Sequence, residues 1–97
     1  MKLTGKCKEK FIFWMCKNHE YVRWHEYETM PECCLNALII DFFDSVGIRI
    51  GIDPYYDMQG TYRANIEHQG FQSMDRNVAI VMAITAANEI YTKKYHN

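Results

Sequence analysis

A chain of 97 residues, 48% hydrophobic and 24% charged, is long enough to build one core and too apolar to stay disordered. With 11 basic against 12 acidic residues spread along it, the formal net charge is -1, which argues against counterion-driven binding to a nucleic-acid backbone. No apolar run approaches the roughly 18 residues of a membrane span, so the composition predicts one domain that neither crosses a membrane nor coats nucleic acid.

The basic start, Met1 to Lys10, leads into an apolar stretch, Phe11 to Cys16, that is too short for a signal core and has no small-residue cleavage site. A cytoplasmic location is expected. Leu3, Cys7, Phe11 and either Trp14 or Met15 recur at intervals of three and four, with Thr4 available as a cap, and predict a first helix over 5–18. Its second half is apolar all round, more than one buried stripe needs.

Cys7, Cys16, Cys33 and Cys34 lack a secretory context and are expected as free thiols, at least two of them buried as small hydrophobes. Zinc would need Cys16 and His19 joined by Cys33 or Cys34. Adjacent cysteines on a helix point about 100° apart and seldom ligate one tetrahedral ion, so no metal and no other cofactor is expected.

Residues 18–30 fit a helix and an extended segment equally well. Pro31 then pushes Met30 out of the α region and opens a second helix over 31–46, which Gly47 should stop in a left-handed conformation. Asp41 and Asp44 near its negative end are unfavourable unless a cation answers them. Arg49 and Arg76 are the expected partners, in a structural polar cluster.

Ile48-Arg49-Ile50-Gly51-Ile52 and the alternating run over 61–67 predict two antiparallel strands joined by a long loop over 53–60. Tyr62, Ala64 and Ile66 should share one face and Arg63, Asn65 and Glu67 the wetter one; Gly70 leaves room for a short third strand around Phe71. Ser73 or Asp75 can cap a last helix over 75–94, with Ala79, Met82, Ala83, Ala86 and Ile90 as its apolar stripe and Lys93, Lys94 and His96 complementing its dipole. The order α-α-β-β-α, without a βαβ crossover, implies an α+β fold: an antiparallel hairpin or small sheet packed against three helices.

Three stretches carry a likeness: residues 1–6 leading into Phe11 and Trp14, the run Asp41-Phe42-Phe43-Asp44-Ser45-Val46-Gly47-Ile48, and Arg76 through Ala86-Ala87-Asn88-Glu89-Ile90-Tyr91. Together they resemble small uncharacterised proteins encoded by tailed phages of gut bacteria. The resemblance spans nearly the whole chain except 18–30 and 53–60. Similar proteins often read Arg-Gln-Glu-Ala where this chain has Arg76-Asn77-Val78-Ala79, so no role for a glutamate transfers. The resemblance implies a viral context in a host cytoplasm and supplies no activity.

Chemistry-bearing signals are sparse. Asp41 and Asp44 stand at i and i+3, the spacing of a carboxylate pair that could hold a cation in a small hydrolase, but no nucleophile, HExxH or phosphate-loop motif accompanies them. His19, His25, His68 and His96 are scattered. Tyr21, Trp24, Tyr27, Tyr55 and Tyr56 lie outside the regular stripes, and such side chains suit protein interfaces or, clustered with Arg63 or Arg23, a stacked nucleotide. The expected function is therefore contact, not catalysis: binding of a host protein in takeover or counter-defence, or self-association. An oligomeric protein that sequesters a small nucleotide signal is the alternative.

Overall fold

In the computed structural model, residues 3–18, 29–54, 61–67 and 69–95 are described, without the side chains of Asp53 and Pro54. Their elements run α1 (Gly5–Asn18), α2 (Glu32–Ser45), β1 (Ile50–Pro54), β2 (Tyr62–Ile66), β3 (Gln69–Ser73) and α3 (Arg76–Lys94). The chain is an α+β unit of order α-α-β-β-β-α. The segment around Phe71 is a full third strand, so the expected hairpin is a three-stranded antiparallel meander in the order β1-β2-β3.

Register explains which sheet face is covered. Ile50 pairs with Ile66, Ile52 with Ala64, and Ala64 with Phe71, so the apolar side chains of all three strands stand on one face. That face packs against α3, which also meets α1 and α2 on its other side. The opposite face carries Gly51, Asn65 and Gly70 in one row, with Arg63 and Gln72 paired in the next. The two strand faces of β2 are those its alternation predicts: Ala64 and Ile66 are buried, Arg63 is exposed.

Lying between sheet and helices, α3 has apolar side chains nearly all round, and its tertiary neighbours select the phase of burial. Ala79, Ile80, Ala83, Ile84, Ala87, Asn88 and Tyr91 are buried. The predicted stripe is thus rotated: Met82 is 43% exposed, and Ala86 and Ile90 are only half-buried. The expected strand β1 is also shifted, since Ile48 is spent on closing α2. Gly47 adopts φ 84, its N–H donates to the Asp44 carbonyl at 3.2 Å, and the Ile48 N–H reaches the Phe43 carbonyl at 2.8 Å. This is the double bond of a Schellman stop, with Ile48 and Phe43 both buried beneath it.

One ring organises the helices. Phe42 on α2 has its centroid 5.7 Å from Phe11 and 5.8 Å from Trp14 of α1, 5.4 Å from Phe43, and 5.9 Å from Tyr91 of α3. The chain's start is tied to its last helix by Asn88, whose Oδ1 accepts the Thr4 N–H and whose Nδ2 donates to the Thr4 hydroxyl, each at 3.1 Å. At the other end of α3, Asp75 caps the Asn77 N–H at 2.8 Å while its own N–H donates to the Ser73 hydroxyl at 3.1 Å.

Truncating Phe42 removes contacts from all three helices at once. Phe42→Ala should therefore destabilise the protein by about 3–5 kcal/mol in urea unfolding. Phe13→Ser, at a side chain on α1 that is 69% exposed, should stay within about 0.5 kcal/mol of the wild type. Equal losses for the two would show that the ring cluster is not the centre of the core.

Candidate functional site

Of the aromatic residues singled out in the sequence, Tyr21, Trp24, Tyr27, Tyr55 and Tyr56 lie outside the described residues. Arg63 is described. It stands opposite Gln72 on the open sheet face, and its guanidinium lies over Gly70, where a methyl group would collide with it. A side chain at position 70 would displace the flexible guanidinium end of Arg63 from this diagonal contact.

The four charged residues expected to cluster are divided. Asp44 meets Arg49, Oδ1 to Nε at 3.2 Å, with both side chains exposed, so a cation answers the acid at the negative end of α2. Asp41 is exposed on α2. Arg76, at the opposite end of the molecule's last helix, lines a cavity of about 180 Å³ with Asn36 and Cys33. Asn36 is 5% exposed there and its Nδ2 has no hydrogen-bond partner among the described residues.

Cysteine placement corrects the sequence reading. Only Cys7 is buried; Cys16 is half-buried, and Cys33 and Cys34 are exposed on the first turn of α2 with their sulfurs 4.0 Å apart. The reason is helical phase, because α2 turns Leu35, Ile39, Phe42 and Phe43 inward and leaves its first turn outside. Among the described residues, no group of three or more His, Cys, Asp or Glu is arranged to hold a metal, and no helix is long and apolar enough to cross a membrane.

The apolar surplus surfaces on α3. Met74 is 72% exposed, Val78 44% and Met82 43%, and their spacing of four sets them on one side of the chain entering and forming the helix. Val78 and Met82, with the half-buried Val81, form the apolar wall of a groove of about 400 Å³ between the first turns of α2 and α3. Among the described residues, Glu32 and Asp75 supply its charged lining, both acidic. Sequence reasoning assigned Met82 to the core and passed over Val78. The signal was present, since Met74, Val78 and Met82 repeat every four residues beside a second apolar stripe that a buried helix already satisfies.

Burial also fixes the chemistry of Cys7. It pushes the thiol up from its ordinary 9.0 to about 12, so at neutral pH the group is a protonated hydrophobe and not a nucleophile. The folded protein holds that proton more tightly than the unfolded chain. Stability is therefore complete below about pH 9 and falls between pH 9 and 12, where the unfolded thiol alone ionises, with a limiting slope of about 1.4 kcal/mol per pH unit. In reducing buffer, unfolding free energy should drop more steeply from pH 9 to 10.5 in the wild type than in Cys7→Ala. Identical slopes would disprove the shift.

Comparison with protein-family models, with curated proteins and with solved structures finds no match to this chain.

Proposed function

We propose that the protein works by contact, as a non-enzymatic binding protein that holds a protein partner in the groove between α2 and α3. The observation that carries this reading is the exposure of Val78 and Met82 above half-buried Val81, at a place where the core has no further use for them. Apolar side chains left in water on a folded domain favour whatever covers them. Methionine adapts its shape to an irregular guest, which suits a recognition surface.

Charge narrows the guest. Glu32 and Asp75 rim the groove and no basic residue lines it among the described residues, so the fitting partner is a segment with aliphatic side chains flanked by lysine or arginine. The resemblance of the sequence to phage-encoded proteins supports a bacterial host protein as the owner of that segment, in host takeover or counter-defence. Exposed Phe13 on α1 adds apolar surface of the same kind.

A photo-reactive side chain at Met82 gives the test. In a bacterial host it should join the protein to one discrete polypeptide whose contacted segment is apolar and basic. The adduct should vanish in Val78→Glu, whose melting temperature should stay within about 4 °C of the wild type because the position is exposed. No discrete adduct, an acidic contact segment, or an adduct formed solely with a second copy of the chain would overturn the proposal.

A further inference from the structure

Between α2, β1 and the start of α3, the cavity of about 180 Å³ has a wall of divided character. Ala37 and Ile40 of α2, Ile52 of β1 and Ile80 of α3 make its apolar side, while Asn36 and Arg76 bring polar groups to it. Among the described residues, no aspartate or glutamate lines it. Three elements converge on this space, so only the folded chain contains it.

Asn36 is the anomaly on that wall. The other buried asparagine, Asn88, spends both its Oδ1 and its Nδ2 on Thr4. Asn36 is 5% exposed, and its Nδ2 has no hydrogen-bond partner among the described residues. A buried donor without an acceptor carries the full cost of its lost hydration, whereas an aliphatic side chain of the same size would carry none. An acceptor entering the cavity removes that cost.

Arg76 sets the charge of the acceptor. It is the first residue of α3, at the end where the helix dipole is positive, and the first turn of α3 has no acidic residue. The carboxylate of the capping Asp75 is engaged by the Asn77 N–H at 2.8 Å. The dipole therefore gives no reason for a cation at this position, and the planar fork of a guanidinium is the shape that fits a carboxylate.

We infer that this cavity binds a short-chain aliphatic carboxylate, with its anionic head between the Asn36 amide and the Arg76 guanidinium and its hydrocarbon tail against Ile40, Ile52 and Ile80. The volume is smaller than the roughly 300 Å³ at which ordinary ligand pockets begin, which limits the guest to a few heavy atoms. A neutral alcohol would leave the guanidinium unanswered. Inorganic phosphate would leave the isoleucine wall uncovered. The cavity adjoins the groove assigned to a protein partner, with Asn77 lining both, yet the inference does not rest on that reading.

Two-dimensional 1H–15N NMR of the full chain, titrated with butyrate, 1-butanol and inorganic phosphate at about pH 6.5, where an ordinary carboxylate is ionised, tests it. Butyrate should shift the Asn36 side-chain amide and the Arg76 Nε–H along one saturable curve with a Kd below about 5 mM, and the other two compounds should bind at least about tenfold more weakly. Arg76→Gln alters an exposed side chain, so it should keep the spectrum of the folded protein while losing at least about tenfold in butyrate affinity. Met82→Ser, which touches the groove alone, should bind butyrate as the wild type does, so that failure of either site is read separately. The inference is overturned if butyrate gives no saturable shift of the Asn36 amide below about 5 mM, if butanol or phosphate matches it, or if Arg76→Gln binds it unchanged.

Discussion

The packing of Phe42 is the constraint on which the rest of the structure depends. It is 2% exposed and its neighbours come from α1, α2 and α3, so the three helices cannot take up their mutual positions without it. Aromatic pairs favour tilted or edge contacts over face-to-face stacking, and the interplanar angles of 70° to Phe11 and 62° to Trp14 follow that preference. Such contacts fix angle as well as distance. The position of the Lys6 and Lys10 turn against Tyr91 is a consequence of the same cluster, because Tyr91 is one of its members.

α3 alone touches every other element among the described residues. Its middle is committed to the sheet and to α1 and α2, and concavities of about 400 and 340 Å³ lie at its two ends. From Val78 to Tyr95 the helix rises about 25 Å at 1.5 Å per residue. The two concavities are therefore separate surfaces, one acidic-rimmed and apolar, the other lined by lysine and tyrosine. A net charge of -1 conceals this division, since bulk charge says nothing about where each sign gathers.

Much of the fold was legible because each signal was local. Gly47 after an apolar helix, Pro31 before it, and the alternation of Tyr62, Ala64 and Ile66 each state a backbone preference within a few residues. β3 was faint for a physical reason: its hairpin turns through Glu67 at φ 51, without the Asn-Gly signature that usually announces such a turn. The phase of α3 was illegible in principle, for a helix apolar on several sides is oriented by what packs on it, and that is tertiary information. Candidate sites and concavities were less legible still. Lys6, Lys10 and Lys94 are more than 80 positions apart at their extremes, and tertiary contacts such as the Thr4 to Asn88 clamp and the Phe42 cluster make them neighbours.

The same clamp bears on whether the two ends of the molecule can influence each other. Coupling between sites requires an element with two arrangements that each ligand biases differently. α3 buries one face from Ala79 to Tyr91, is capped by Asp75, and is pinned through Asn88, so a tilt at its start would have to break the cap or open a close-packed core. The physical expectation is a rigid strut, where a partner seated in the groove at its start stabilises the whole fold without changing the shape presented at its far end.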